Sequence, residues 1–221
     1  SLMPKVLRYV VSRYGQEKVE DVIAQMSSDD DQGKEFFAVS VGAAVFRILF
    51  VEKESCGQTL ADQWAAEGWP GLNNDERVMM QNRRNSRVTV IEIQKILDHQ
   101  AMECIDLLDP DRGKFILFDR NTVSRAARFI RLFTWLTHYP CFSRCEHGGV
   151  EITDFIADEF LSFITKDVSK KIKKWPGVTV KDYLSLNFGE CCALARHMVE
   201  EKRKAVFSTM DLHHCMATYQ I

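Results

Sequence analysis

Apolar residues recur at helical spacing through the first quarter of the chain. Within residues 4 to 26 they lie three or four positions apart, and Gly15 interrupts the pattern, which predicts two helical stretches. The acidic, polar residues 27 to 33 predict an exposed loop. From 36 to 51 the apolar residues are nearly continuous, and the length of this run favours a core helix over a buried strand.

Capping residues mark two further helix starts. Thr59 precedes Asp62 by three positions, so its side-chain oxygen can accept from a first-turn amide while the carboxylate lies at the positive end of the helix dipole. Asn73 and Glu76 repeat this spacing, and we expect the second helix to reach about residue 85. The cations that suit its negative end are Arg83, Arg84 and Arg87.

The pattern changes to short β-branched and aromatic runs after residue 87. Three such runs cover residues 88 to 97, 102 to 108 and 115 to 118. Pro110 and Gly113 predict a hairpin turn between the last two, and a fourth run at 129 to 137 has large apolar residues on both faces, as in a strand covered on both sides. Gly148 and Gly149 are expected to turn the chain into a last short strand.

Helical periodicity returns at residue 153 and continues to about residue 172, where lysines and a Pro-Gly pair predict a helix end. Residues 190 to 204 predict a last long helix, whereas residues 212 to 221 alternate at strand spacing.

Together these elements predict an α+β chain with N-terminal helices, a central small antiparallel β-sheet or partly open barrel, and C-terminal helices ending in a strand. The expected regions, which can pack as one unit, are a helical region at 1–86, a small antiparallel β-domain at 87–152, and a helical region with a terminal strand at 153–221.

Composition excludes several protein classes. A formal net charge of -2 indicates neither a general polyanion binder nor a strongly acidic protein. No apolar run reaches the roughly 18 to 20 residues of a membrane span, and the N-terminal residues lack the apolar core of a signal peptide. We therefore expect a cytoplasmic protein with no membrane partner. The 7 cysteines lack the spacing of a disulfide scaffold, which favours reduced thiols.

Several short segments carry a resemblance to a known group. In chain order these are Thr59-Leu60-Ala61, Leu72 with Glu76-Arg77, Ile91-Glu92-Ile93, Asp106-Leu107-Leu108 and Ser124-Arg125. At this order and spacing, the chain to about residue 135 resembles uncharacterised bacterial proteins that carry a SEC-C zinc motif elsewhere in their chains. The Cys-x-Cys pair of that motif does not occur here. The resemblance implies a helical region that leads into a small β-domain, and it implies no catalytic residue.

The most metal-like cluster is formed by Cys141, Cys145 and His147, because a Cys-x-x-x-Cys-x-His run can present two thiolates and an imidazole to a tetrahedral zinc ion. A fourth ligand would have to come from elsewhere in the chain. The available residues are Cys191, Cys192, His197, His213, His214 and Cys215. Packed free thiols are the favoured interpretation, so we expect no cofactor, with zinc as the alternative.

Four arginines are the main candidates for contact with phosphate. They are Arg120, Arg125, Arg128 and Arg131. Residues 120 to 135 contain no acid and lie on or beside the β-domain, whose exposed aromatic residues could stack on bases. The basic groups at 83 to 87 and at 170 to 174, beside Trp175, have an alternative explanation as helix ends.

These features favour a non-catalytic macromolecular interaction module of a cytosolic bacterial protein. The chain contains no P-loop, dinucleotide-binding fingerprint, Gly-x-Ser-x-Gly elbow or His-Glu-x-x-His helix, so the common enzyme classes are not indicated. We expect a protein partner rather than a nucleic acid, and the oligomeric state stays open. The first alternative is a nucleic-acid-binding β-domain that uses the four arginines, and the second is a zinc- or thiol-dependent hydrolase.

Overall fold

A computed structural model describes the backbone at residues 2–26, 33–124, 126–175 and 177–218 and, within these, the side chains outside 25–26, 33–40, 147–148 and 206–218. The N-terminal helices are α1 (Leu2–Met26), α2 (Gly33–Phe50), α3 (Leu60–Ala66) and α4 (Asn74–Arg83). The strands are β1 (Arg87–Ile96), β2 (Ala101–Asp106), β3 (Lys114–Phe118), β4 (Arg131–His138) and β5 (Ser143–Ile152), with the short helix α5 (Arg120–Val123) between β3 and β4.

The C-terminal helices follow the last strand. They are α6 (Ala157–Ser162), a π-helical segment (Phe163–Val168), α7 (Ser169–Ile172), α8 (Val180–Leu186) and α9 (Phe188–Thr218). The α+β class and the helical regions on both sides of the β-region are confirmed. The expected strand at 212 to 221 is corrected, because the backbone is helical to Thr218 and the last three residues lie outside the described part. Alternation of polar and apolar residues there does not outweigh the continuation of a long helix.

Capping explains why three of these helices begin where they do. Thr59, Asn73 and Thr179 each accept a hydrogen bond from the backbone N–H three residues later, and the carboxylate at that position accepts from the backbone N–H of the capping residue. Each capping box therefore satisfies two amides that the helix itself leaves free. In α1, Gly15 has a φ of 80°, and this left-handed conformation produces the predicted break.

The five strands close into a barrel in the order β1-β2-β3-β5-β4. Neighbouring strands are antiparallel, except that β3 and β5 run parallel and meet at the single pair Leu117 and Ser143. Strand β1 pairs with β4 through its first half and with β2 through its second, and a register shift between Ile93 and Lys95 accompanies the change of partner. This strand order, with a helix between the third and fourth strands, is the connectivity of the oligonucleotide/oligosaccharide-binding (OB) fold.

Strand β5 is longer than the sequence predicts. We expected Gly148 and Gly149 to form a turn, but both lie within the strand. A Cβ atom at Gly149 would lie 2.7 Å from the backbone oxygen of Phe133 in β4, so the glycine permits a close approach of two strands. A glycine with this role has the same sequence signature as a turn glycine.

The barrel has an inner core and an outer apolar face. Side chains of all five strands fill the interior, with Ile91, Met102 and Leu117 fully buried there. On the outside of β1 and β4, Val90 and Trp135 instead pack into a larger core formed with the helices. The outward side chains of β3 include Lys114 and Phe118, which are exposed. The helices thus cover one side of the barrel and leave another side accessible.

No helix in the described part of the chain is long and apolar enough to cross a membrane.

We expect Phe133→Ala to lower the free energy of unfolding by about 3 to 5 kcal/mol, because the ring is fully buried between barrel and helices. Phe118→Ala removes the same atoms from a ring that is 43% exposed and should cost roughly 1 kcal/mol or less. Urea unfolding of the two variants measures the difference. Equal losses would contradict the assignment of Phe118 to an open surface.

Candidate functional site

An open groove of about 690 Å³ lies at one end of the barrel. Three segments form it: the β1–β2 turn with Gln100, the end of β3 with Phe118, and the β4–β5 loop with Phe142. The backbone N–H of Asp119 donates to the carbonyl of Gln100 at 3.0 Å, and the pairing of Leu117 with Ser143 brings the third segment alongside. We call this the aromatic groove and define it by Gln100, Phe118, Arg120, Asn121, Phe142 and Arg144.

Aromatic rings dominate one part of the groove. Phe118 and Phe142 meet edge to face, with ring centroids 5.5 Å apart and an interplanar angle of 78°. Tyr139 stacks on Phe142 at 4.8 Å and supports it from below. Both phenylalanine rings remain open to solvent, at 43% and 36% exposure. At the end of β1 and just after it, the side chains of Ile96 and Leu97 are also exposed.

The charged groups of the groove are unequally engaged. Among the described residues, neither Arg120 nor Arg144 has a carboxylate within ion-pair distance, and both side chains are exposed. The carboxylate of Asp119 already accepts hydrogen bonds from the backbone N–H of Asn121 and from the N–H and hydroxyl of Thr122. The cations are therefore available to a ligand, whereas this anion is occupied by its own helix start.

A buried carboxylate connects the groove to the N-terminal helices. Glu146, whose side chain is 1% exposed, accepts from Nη2 of Arg83 at 2.5 Å and from the hydroxyl of Tyr139 at 3.2 Å. Arg83 ends helix α4, so its charge suits the helix dipole as the sequence predicts, but it also pairs with β5. Burial, followed by the charge of Glu146, raises the pKa of Tyr139 to about 12, so the tyrosine remains a neutral donor.

The structure describes three of the four predicted phosphate contacts, and these three lie in different surroundings. Arg120 lies in the groove, whereas Arg125 is outside the described residues. The guanidinium of Arg128 covers the ring of Phe129 at 4.6 Å. Arg131 lies on β4 and pairs with Glu92 at 2.7 Å and with Asp154 at 2.7 Å. Two of the three described arginines therefore already interact within the protein.

Sequence reasoning missed most of the groove. Phe142 and Arg144 lie between the fourth run and the two glycines, where the sequence predicts no strand, and Gln100 lies in a segment with no motif. The available signal was the alternation along β5, where Arg144 and Glu146 share one face and Ser143 and Cys145 the other, with Phe142 just before the strand.

The structure describes two of the three side chains of the predicted metal cluster, and these two differ in exposure. Cys141 is exposed in the β4–β5 loop, Cys145 packs against the barrel interior, and the side chain of His147 is outside the described set. Of the possible fourth ligands, Cys191 and Cys192 are buried in the main core and His197 is exposed. The other three, His213, His214 and Cys215, also lie outside the described side chains. Within the described residues, no group of three or more His, Cys, Asp or Glu side chains could hold a metal ion.

Comparison of the chain with protein-family models, with curated proteins and with solved structures finds no match. The resemblance to the SEC-C-associated proteins therefore stays a prediction.

The thiols should differ in reactivity. Burial raises the pKa of Cys145 and of Cys191 to about 12 and also raises that of Cys104 and Cys192, while Cys141 is exposed. We expect iodoacetamide to label the exposed Cys56 and Cys141 in the native protein, and Cys104, Cys145, Cys191 and Cys192 only after denaturation, as read by peptide mapping. Stoichiometric zinc, with Cys141 and Cys145 protected from labelling until a chelator removes the metal, would instead support the metal site.

Removal of the buried partner of Glu146 should be costly. Arg83→Met leaves an unpaired carboxylate at a site that is 1% exposed, and we expect a loss of about 3 to 5 kcal/mol in the free energy of unfolding. Arg84→Met is the matched control, because the pair of Arg84 with Asp62 is solvent-exposed and should contribute about 1 kcal/mol or less. Addition of Glu146→Gln to Arg83→Met should restore part of the loss. Equal effects of the two arginine variants would refute the buried link.

Proposed function

We propose that the chain is a non-catalytic binding protein whose barrel takes single-stranded nucleic acid in the aromatic groove. The observation that carries this proposal is the exposed edge-to-face pair of Phe118 and Phe142, flanked by two arginines without ion-pair partners among the described residues. OB folds bind oligonucleotides on the face of the second and third strands and with the loops that join β1 to β2 and β4 to β5. The groove is built from these same loops and from the end of β3.

The chemistry of the groove suits unpaired bases. Stacking of a base on an aromatic side chain contributes about 1 to 3 kcal/mol and tolerates any base, because every base has a π-face. Arg120 and Arg144 can each donate charge-assisted hydrogen bonds to phosphate oxygens. A duplex keeps its bases stacked inside, so the two rings favour a single strand.

The position of the groove favours nucleic acid over the protein partner that the sequence suggested. Arginine and aromatic residues are enriched at protein interfaces too, so the preference rests on the loops that form the groove, which are those with which OB folds bind oligonucleotides. Here Arg120 and Arg144 line the groove together with the two rings and the exposed amides of Asn121 and Gln100. Such a mixture of rings, cations and amides fits a ligand that alternates flat bases with phosphates.

Affinity should depend on a small number of phosphate contacts. With two arginines engaged, the slope of log K against log salt for a single strand is expected to be about -1.4. The formal net charge of -2 gives no added long-range attraction. We therefore expect binding that is localised to the groove rather than spread over the surface.

The test uses fluorescein-labelled oligodeoxythymidylate of about 10 nucleotides, within the site size of one OB fold, and fluorescence anisotropy. Phe118→Ala and Phe142→Ala should each weaken binding roughly tenfold. Arg120→Ala or Arg144→Ala should reduce the salt slope by about 0.7. The controls are Phe155→Ala, an exposed ring outside the groove, and Arg8→Ala, an exposed arginine on α1; both should bind as the unaltered protein does.

Two results would overturn this proposal. One is the absence of measurable binding by the unaltered protein to the oligodeoxythymidylate and to an oligouridylate of the same length. The other is a pair of groove variants that bind no more weakly than Phe155→Ala. In the second case the nucleic acid contacts another surface.

A further inference from the structure

A second basic surface lies on the C-terminal helices. It is the lysine surface, defined by Lys166, Lys170, Lys173, Lys174, Lys181 and Trp175. All six side chains are exposed. Residues 166 to 182 contain 6 lysines and 2 aspartates in a chain whose formal net charge is -2, so positive charge is concentrated here.

Ion pairs do not account for this charge. Lys170 approaches Asp167 at 3.7 Å, a distant and exposed pair. Among the described residues, Lys166, Lys173, Lys174 and Lys181 have no carboxylate within ion-pair distance. Lys171 differs from its neighbours, because it donates to the hydroxyl of Tyr183 at 3.3 Å and lies over the ring of Phe163. We therefore assign Lys171 to the packing of α7 on α8 and leave it out of the surface.

Helix dipoles explain only part of the cluster. Lys170 follows the C-terminal rule, since α7 ends at Ile172. Lys181 contradicts the rule, because it occupies the first turn of α8, where the positive end of the dipole disfavours a cation. Lys166 lies in the last turn of the π-helical segment, which continues directly into α7, and segments of this kind are often found at functional sites. Lys181 has no ion-pair partner among the described residues and lies at an unfavourable end of its helix, which indicates that it contacts a binding partner rather than stabilising the fold.

Trp175 gives the surface an aromatic component. Its ring stacks on Tyr183 with centroids 6.1 Å apart and an interplanar angle of 22°, yet 52% of the residue remains exposed. Tyr183 is buried and fixes the orientation of the indole, whose other face is open. Backbone hydrogen bonds from Trp175 to Ile172 and from Val178 to Trp175 hold the turn that presents it.

We propose that the lysine surface is a second contact for the same single-stranded nucleic acid, with the lysines on successive phosphates and Trp175 stacked on a base. The identity of the anion rests on the proposed function of the aromatic groove, whereas the surface itself does not. An oligonucleotide long enough to extend from the groove to the lysine surface can bind both. Once it is bound at one site, its effective concentration at the other is high, so the overall affinity exceeds that of either site alone.

A phosphodiester backbone fits this surface better than an anionic membrane. Binding in a membrane interface requires an apolar face with several large side chains. Among the described side chains from residue 153 to residue 205, two large hydrophobic groups are more than a third exposed, Phe155 before α6 and Trp175 after α7, and Trp175 is the one that belongs to the lysine surface. The lysine surface instead combines the ring of Trp175, on which a base can stack, with lysines that can contact phosphates, and a single strand carries both groups in alternation.

The experiment compares oligodeoxythymidylates of about 10 and about 30 nucleotides, of which the shorter spans one OB site and the longer can reach further. For the long probe, Lys173→Gln with Lys174→Gln should reduce the salt slope by about 1.4, and Trp175→Ala should weaken binding roughly tenfold. The short probe should bind both variants as it binds the unaltered protein.

The matched control is Lys53→Gln with Lys204→Gln, which removes the same charge from two other exposed sites. If the lysine variant and this control bind the long probe equally, the inference is overturned. It is also overturned if the lysine variant loses only its binding to phosphatidylserine vesicles.

The groove and the lysine surface can fail independently. If Phe118→Ala leaves the short probe unaffected while the lysine variant weakens the long one, the groove proposal falls and the lysine surface stands. If Phe118→Ala weakens both probes and the lysine variant weakens neither, the groove proposal stands alone.

Discussion

The packing of β4 against the helices is the contact on which the arrangement of the molecule depends. Phe133 and Trp135 point out of the barrel, and Phe188 at the start of α9 meets both rings, at 5.4 Å and 5.7 Å. Phe160 of α6 and Phe46 of α2 complete this aromatic layer. Helices from both ends of the chain therefore converge on one strand. The same packing occupies the β1–β4 side, so a ligand of the barrel is confined to the opposite side.

The helices contact the barrel through aromatic packing and through the ion pair of Arg83 with Glu146. The two contacts differ in how strictly they fix the geometry. Aromatic packing buries large apolar rings and stabilises the arrangement without a hydrogen bond. The Arg83–Glu146 pair is a single polar contact with a fixed geometry, and it holds Tyr139 beneath Phe142. The position of one groove ring therefore depends on the end of α4, which lies outside the barrel in sequence.

Local signals in the sequence were sufficient for the capped helix starts, for the break in α1 and for the hairpin of β2 and β3, but not for the C-terminal end of α9. Capping residues act on amides three positions away, and the break at Gly15 depends on one φ angle, so both can be read without knowledge of the fold. The closure of the barrel could not be read in this way. It requires Gly149 to lie against Phe133 and Leu117 to meet Ser143 across a gap in sequence, and neither pairing leaves a periodic trace. For the same reason, the sequence analysis grouped Arg120 with the arginines that follow it in sequence. In the structure, the arginine that lines the groove together with Arg120 is Arg144.

Closure of the barrel at a single parallel pair has a mechanical consequence. Parallel pairing is slightly weaker per residue than antiparallel pairing, and here one registered pair closes the seam. Phe118 follows Leu117 directly, and Phe142 directly precedes Ser143. The two rings therefore lie on opposite sides of the junction between β3 and β5. A ligand that contacts both rings would hold the two strands together at this seam. The barrel could then open there only after the ligand dissociates. Amide hydrogens along the seam should therefore exchange with solvent far more slowly in the bound protein than in the free protein.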